Sequence, residues 1–64
     1  MTELEMMRTL EEARQISVNA DNAVYAMSNG SRIKVTQSLT KVDELKNAGY
    51  WTCSIFRDGH RCEA

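Results

Sequence analysis

The chain has 64 residues, of which 42% are hydrophobic and 27% are charged, and its formal net charge is −1. This length leaves room for a single domain over residues 1–64, and the ordinary globular composition excludes a fibrous or disordered chain. A domain this short buries only about 60% of the surface that its unfolded chain exposes, so we expect it to need a disulfide, a metal or a second subunit.

The charge balance bears on nucleic-acid binding, and the cysteines bear on whether a disulfide stabilises the domain. Eight basic residues against nine acidic ones leave no basic surplus, which disfavours affinity that comes from neutralising phosphates. Glu3 and Glu5 stand where a secretory signal needs positive charge, and no apolar run approaches the length of a membrane span. We therefore expect a cytoplasmic protein in which Cys53 and Cys62 stay reduced, and this leaves a metal or a second subunit.

The first half of the chain has the spacing of a long amphipathic helix. Thr2 and Glu5 fit a capping box at its start, and Asn29-Gly30 is a natural stop, so the pattern predicts a helix over residues 1–29. Apolar or small residues recur at alternating steps of four and three, as in the seam of a coiled coil. The predicted self-association seam consists of Met6, Leu10, Ala13, Ser17, Ala20, Val24 and Met27.

The length of this helix predicts a partner. About 26 helical residues span roughly 39 Å, which is more than the rest of a 64-residue domain can cover. A second apolar flank runs beside the seam, so one stripe would pack on the chain's own sheet and the other on a second subunit. This flank consists of Leu4, Met7, Ile16, Val18, Ala23 and Tyr25. We expect a homo-oligomer, most simply a dimer.

A polar stretch at residues 17–22, "SVNADN", allows a different interpretation. Its Ser, Asn and Asp side chains compete with helical hydrogen bonding, so the helix would break there. The segments "AVYAM" and "RIKV" would then pair as a hairpin across "SNGS", because Asn-Gly favours a tight turn. The continuous heptad spacing favours the unbroken helix.

The second half, residues 31–64, reads as β-α-β-β. Ile33 and Val35 alternate with polar residues as in a half-buried strand, and "SLTKVDELKNAGY" is an amphipathic helix that Ser38 or Thr40 caps and Gly49 ends. Two strands then flank Asp58-Gly59. The predicted class is α+β, with two helices on one face of a small three-stranded sheet.

The pairing of the C-terminal hairpin predicts which face of the sheet the two cysteine side chains lie on. A two-residue Asp58-Gly59 loop pairs Arg57 with His60, Phe56 with Arg61, Ile55 with Cys62, and Cys53 with Ala64. The face predicted to point into the core consists of Trp51, Cys53, Ile55, Cys62 and Ala64.

Chemistry at this hairpin is not expected. Cys53, Cys62 and His60 are only three candidate zinc ligands, where a structural site wants four, and no Cys-x-x-Cys occurs. His60 is also the only imidazole that could activate a nucleophile. We therefore predict no metal, no cofactor and no enzymatic activity.

Residues 41–64, "KVDELKNAGYWTCSIFRDGHRCEA", resemble the end of a winged-helix DNA-binding domain, in which a helix is followed by a strand, a turn and a returning strand. In that family the helix lies in the major groove and the hairpin forms the wing. The resemblance implies DNA contacts from Lys41, Lys46, Arg57, His60 and Arg61. Asp43 and Glu44 depart from it, because they would face phosphate, and the "IKV" strand lies where a tight helix-turn-helix should run.

The same stretch is also similar to small mRNA-interferase toxins, whose hairpin bears Gly-x-His near its turn. That resemblance implies a ribonuclease. This chain departs from the motif, because His60 follows Gly59 directly.

These observations favour a small non-enzymatic binding and assembly protein, which self-associates through its N-terminal helix and acts on a partner protein as an inhibitor or adaptor. A winged-helix-like DNA-binding regulator is the alternative. A third reading is an oligomer that holds a small charged ligand between subunits, with Arg32 and Lys34 and the polar patch formed by Asn19, Asp21 and Asn22.

Overall fold

The computed structural model describes residues 2–62. In chain order the elements are α1 (Glu3–Val18), β1 (Val24–Ser28), β2 (Ile33–Thr36), α2 (Leu39–Asn47), β3 (Trp51–Arg57) and β4 (His60–Cys62). The four strands form one antiparallel sheet in the order β2-β1-β3-β4. The predicted α+β class is confirmed, and the sheet has one strand more than predicted.

The N-terminal helix starts as predicted but ends much earlier. The Glu5 amide donates to Thr2 Oγ1 at 3.2 Å, which caps the first turn. The prediction of a helix continuing over residues 1–29 is wrong, because α1 ends at Val18. There the Asn19 amide donates to the Ile16 carbonyl at 3.3 Å, and the polar segment that follows carries the chain away from the helix axis.

The residues after this break form a hairpin, as in the alternative reading of the sequence. β1 and β2 pair from Tyr25↔Thr36 to Ser28↔Ile33. The turn is closed by Asn29, whose Oδ1 accepts from the amides of Ser31 and Arg32 at 2.9 and 2.8 Å. Val24 and Met27, predicted to continue the helical seam, therefore belong to a strand.

β1 is the centre of the molecule because it is buried on both of its faces. Successive side chains of a strand point to opposite faces, so Val24 and Ala26 share one face and Tyr25 and Met27 share the other. Val24, Ala26 and Met27 are all completely buried. A strand that is covered on both sides must be apolar on both sides, which accounts for the unbroken run "AVYAM".

Two separate hydrophobic clusters cover this strand. On one side Val24 packs with Ala13 of α1 and with Phe56 of β3. On the other side Met27 packs with Val42 and Leu45 of α2. We call these two sides of the sheet the α1 face and the α2 face.

The helices thus lie on opposite faces of the sheet, where the sequence analysis placed them on one. The strand order explains the difference. β2 and β3 lie on either side of β1, so the connection through α2 has to cross over β1. Because α1 already occupies one face, α2 crosses on the other, and the molecule has three layers.

Within residues 2–62, no helix is long and apolar enough to cross a membrane.

The C-terminal hairpin has the predicted register. Arg57 pairs with His60, and the next two pairs follow in step, through Ile55↔Cys62. Asp58 and Gly59 have φ angles of 53° and 80°, as expected for the two central residues of a type I′ turn. The predicted pairing of Cys53 with Ala64 lies outside the described residues.

The predicted core face of this hairpin is wrong. Ser54 and Phe56 are the buried residues of β3, whereas Trp51 is 52% exposed and Ile55 is only partly buried. Phe56 is opposite Val24, so it points to the α1 face, which the longer helix covers. The register of β3 against β1 also shifts by one residue at Cys53, so simple alternation does not hold along the whole strand.

The end of α1 is fastened to the β3–β4 turn by a polar contact, which we call the turn clasp. The Gly59 amide donates to Ser17 Oγ at 2.9 Å, and this hydroxyl donates to the Arg14 carbonyl at 2.6 Å. The Arg14 Nη1 atom donates to the Gly59 carbonyl at 3.4 Å. Ser17 is 1% exposed and Gly59 is partly buried, so the turn amide and the serine hydroxyl find their hydrogen-bond partners within the chain.

We predict that Gly59→Ala destabilises the protein more than Gly49→Ala. Both glycines have positive φ, which costs an alanine roughly 1–2 kcal/mol. A Cβ at position 59 would also lie 2.9 Å from Val18 Cγ2, whereas nothing lies within 4 Å of one at position 49. Urea unfolding of the two variants measures the difference, and equal losses would show that the Gly59–Val18 contact is unimportant.

We also predict that Val24→Glu unfolds the chain. A helical seam facing a second subunit would tolerate this substitution as a folded, dissociated monomer. Val24 is instead completely buried between α1 and β3, where a carboxylate has no partner and burial of its charge is costly. Circular dichroism should show loss of both helix and sheet, and a folded variant would contradict the placement of β1.

Candidate binding surfaces

Helix α1 carries its side chains in an unusual arrangement. Its two fully buried residues, Ala13 and Ser17, are small, and Leu10 packs beside them against the sheet. Leu4 and Met7 are 65% and 61% exposed. An amphipathic helix of a globular domain normally buries its large apolar side chains and leaves polar ones outside. The outward side of α1 therefore has the apolar character that is expected of a contact surface.

We call this outward side the α1 outer surface. It is a nearly flat surface on this one helix, formed by Leu4, Met7, Arg8, Glu11, Glu12, Gln15 and Ile16. Within residues 2–62, five of the seven exposed large hydrophobic side chains belong to α1, so the excess apolar surface is concentrated on this element.

The predicted seam residues have a different fate. Ala13, Ser17, Val24 and Met27 are buried inside the single chain, and Leu10 and Ala20 pack against the α1-face cluster. Met6, the remaining member, is 38% exposed. The seam thus supplies the chain's own core, and three members of the predicted flank, Leu4, Met7 and Ile16, supply the outer surface.

Glu11 is the best-anchored charge on the α1 outer surface. Its two carboxylate oxygens accept from Arg14 Nε at 3.0 Å and from Arg14 Nη2 at 2.6 Å, and Gln15 donates to the same group at 3.2 Å. These hydrogen bonds, first from Arg14 and then from Gln15, lower the pKa of Glu11 to about 2. The same contact raises the pKa of Arg14. Glu11 therefore stays negative through mildly acidic pH.

The second candidate surface is a cleft on the α2 face. Helix α2 has only nine residues and packs over β1 through Val42 and Leu45. The sheet beside it is left open, and Leu39 is 66% exposed at its rim. We call this opening the α2 cleft; it measures about 630 Å³ and is lined by Tyr25, Leu39, Val42, Asp43, Lys46, Trp51, Thr52 and Ile55.

A smaller polar depression continues the α2 cleft. It measures about 360 Å³ and shares Tyr25 and Leu39 with the cleft. Asn22, Gln37, Thr40 and Arg57 give it polar walls. The two together form a groove with an apolar centre, in which Lys46 lies on one side of the shared residues and Arg57 on the other.

The basic residues predicted as ligand or nucleic-acid contacts do not gather in one patch. Strand alternation and the registers place Lys34, Arg57 and His60 on the α2 face, where Lys46 also lies, but place Arg61 on the α1 face. Arg32 lies at the β1–β2 turn. The α2 face is therefore the more basic side of the sheet.

Two of these basic side chains have partners within the chain. Lys41 Nζ lies 3.4 Å from Glu44 Oε2, and Lys34 Nζ lies 5.6 Å from the centroid of the Tyr50 ring. Within residues 2–62, Lys46 and Arg57 have no carboxylate within ion-pair distance. These two side chains thus provide positive charge that the fold itself does not use.

The arrangement of helices differs from that of a winged-helix domain. Between residues 2 and 62, α1 and α2 are separated by the β1–β2 hairpin and lie on opposite faces, so they form no helix-turn-helix. The tip of the C-terminal hairpin is held against α1 by the turn clasp, where a wing would project. DNA binding through this hairpin stays a prediction.

Within one chain, the polar patch expected to hold a small ligand between subunits lies apart from its basic residues, and this site between subunits stays a prediction. Asn22 lies just before β1, whereas Arg32 follows the turn at the other end of that strand. Asn22 instead lines the polar end of the groove on the α2 face. Cys53 and Cys62 are free and partly buried, and in the described part of the chain no three His, Cys, Asp or Glu side chains cluster to hold a metal.

The α2 cleft is the surface that sequence analysis missed. The sequence places Tyr25 on the flank of the long helix and Ile55 on the core face of the C-terminal hairpin. The run "AVYAM" after a polar segment was the available signal, since it is also typical of a strand with two covered faces.

We predict that Glu11 titrates near pH 2 in the folded protein, and that Arg14→Gln raises this pKa toward 4.5. Because the pKa is lowered by folding, the Glu11–Arg14 contact stabilises the fold fully above about pH 4.5 and its contribution disappears as pH falls toward 2. NMR titration of the Glu11 carboxyl resonance measures both values. An unchanged pKa in the Arg14 variant would contradict this assignment.

Known proteins offer no further guide to these surfaces. Comparison with family models, with curated proteins and with solved structures gave no significant match to this chain.

Proposed function

We propose that this chain is a non-enzymatic binding protein that works as a self-associated assembly and acts on a partner protein, as an inhibitor or adaptor. The observation that supports self-association is the exposure of Leu4, Met7 and Ile16 on one side of α1, while the other side of the helix packs on the sheet. Large apolar side chains left in solvent along one side of a helix are suited to a second contact.

The exposed apolar side chains of α1 contribute a limited free energy to association. Leu4, Met7 and Ile16 are 65%, 61% and 46% exposed, so covering their exposed parts would contribute about 1 kcal/mol each. Association costs at least about 4 kcal/mol in lost translational and rotational freedom. These three side chains alone do not hold a stable complex, and we expect an assembly that depends on protein concentration and on further contacts.

The DNA-binding alternative has less support. Lys41, one of its expected contacts, is already paired with Glu44, and Arg61 lies on the opposite face from Arg57. A protein that reads DNA needs its cations on one surface, because each phosphate contact adds to affinity.

We predict that Leu4→Glu weakens self-association without unfolding the chain. Leu4 lies in the first turn of α1, where a carboxylate suits the helix dipole, and its side chain is mostly in solvent. Ser31→Glu is the matched control, since it adds the same charge at an exposed turn on neither surface. Sedimentation velocity over a range of concentrations compares both with the unsubstituted chain.

The outcomes separate clearly. The Leu4 variant should sediment as a monomer at concentrations where the control still associates. A parent chain that remains monomeric at every concentration would contradict the proposed function.

A further inference from the structure

We propose that self-association is head to tail: the α1 outer surface of one copy docks in the α2 cleft of the next. This inference rests on the proposed function, and it names which surface receives α1. The alternative is a symmetric contact in which α1 of one copy packs on α1 of another.

The first argument is the space on the α2 face. Four strands about 4.8 Å apart make a sheet roughly 19 Å wide, and a helix with its side chains is about 10 Å across. Helix α2 packs over β1 and leaves the β3 side of this face open, with Ile55 and Cys62 only partly buried. With α2 about 10 Å across and lying over β1, the second strand from the edge, roughly 7 Å of this face remains open over β4 and part of β3, a strip that the apolar side of a docked helix can contact.

The second argument is charge. Helix α1 carries four acidic side chains and two basic ones, and the pairing of Arg14 with Glu11 leaves three acidic side chains against Arg8, a net charge of −2. The acidic members are Glu3, Glu5, Glu11 and Glu12. Two such helices packed together would bring like charges within a Debye length of each other, which disfavours the symmetric contact.

The α2 cleft has the opposite character. Lys46 lies in its wall and Arg57 lies at the polar end of the groove, and within the described chain neither has a carboxylate partner. Asp43 is the acidic residue that lines it. An acidic, apolar helix therefore matches the cleft in charge.

The third argument is the apolar lining. Trp51 is 52% exposed, and Tyr25 is shared by both parts of the groove. Exposed aromatic side chains surrounded by polar ones are typical of the centre of a protein interface. Leu4 and Met7, one helical turn apart on α1, are apolar side chains that such a centre can cover.

This contact has a consequence for assembly. The α1 outer surface and the α2 cleft lie on opposite sides of the sheet, so each copy can donate its helix to one neighbour and receive a helix from another. A contact between two different surfaces does not close on itself in a pair. We therefore infer an assembly of more than two copies, either a ring or an open series, where the sequence favours a dimer.

The test uses two variants that damage one surface each. Leu4→Glu damages the donated helix, and Leu39→Glu damages the receiving cleft. The two leucines are matched, because they are 65% and 66% exposed and each lies in the first turn of its helix. Ser31→Glu again controls for added charge, and circular dichroism verifies that all three variants are folded.

Light scattering then measures the mass of each variant alone and of an equimolar mixture. Each of the two should be a monomer of 7.3 kDa alone, because each lacks one half of the contact. The mixture should double in mass, since the intact helix of one variant meets the intact cleft of the other. The unsubstituted protein should form assemblies heavier than a dimer, and their mean mass should fall as the salt concentration is raised.

Three results would overturn the inference. If the Leu39 variant associates as the parent chain does while the Leu4 variant is a monomer, α1 packs on α1; the proposed function survives and the head-to-tail contact fails. If the mixture remains monomeric, the cleft does not receive the helix. If the parent chain is a monomer throughout, both proposals fail together.

Discussion

The burial of β1 on both faces is the constraint that organises this protein. A five-residue strand at the centre of a sheet has to present apolar side chains in both directions, and Val24 and Met27 meet this need for α1 and α2 respectively. The hairpin to β2, the pairing with β3 and the crossing of α2 all follow from where this strand lies. In a domain this small, a single strand that is buried on both faces forms the centre of the hydrophobic core.

Local chemistry in the sequence was a reliable guide. Thr2 and Ser38 cap the two helices, Gly49 takes the left-handed conformation after α2, and Asp58-Gly59 forms the tight turn. Each of these features depends on a few neighbouring residues, and their side-chain or backbone preferences act whatever the rest of the chain does. For the same reason the pairing of β3 with β4 could be predicted residue by residue.

The central strand could not be predicted by periodicity. Val24 and Met27 are three residues apart, which places them on the same side of a helix but on opposite sides of a strand. When both sides are covered, the two structures require the same apolar pattern. The polar segment at residues 17–22 contained the deciding information, because a break in the helix leaves the following five apolar residues as a strand. The buried face of β3 was missed for a related reason, since Ile55 and Phe56 are both apolar and only the position of α1 decides between them.

The two candidate surfaces also differ in how far the sequence predicts them. Leu4, Met7 and Ile16 could be recognised from the sequence, because helical geometry alone separates them from the residues that face the sheet. The α2 cleft could not, since it depends on two helices choosing different faces, which is a property of the whole topology. Lys46 and Arg57 were identified as exposed cations, but their relation to Tyr25 and Leu39 emerges only in the folded chain.

The turn clasp joins residues that are far apart in the sequence, which affects when it forms during folding. The Gly59 amide finds Ser17 across 42 residues of sequence, so this hydrogen bond forms only when the first helix has docked and the last hairpin has closed. Contacts between such distant residues are slow to form, because the intervening chain must be ordered first. Solvent exchange at that single amide requires the contact between α1 and the β3–β4 turn to open, so its protection reports how firmly the two ends of the described chain are held together.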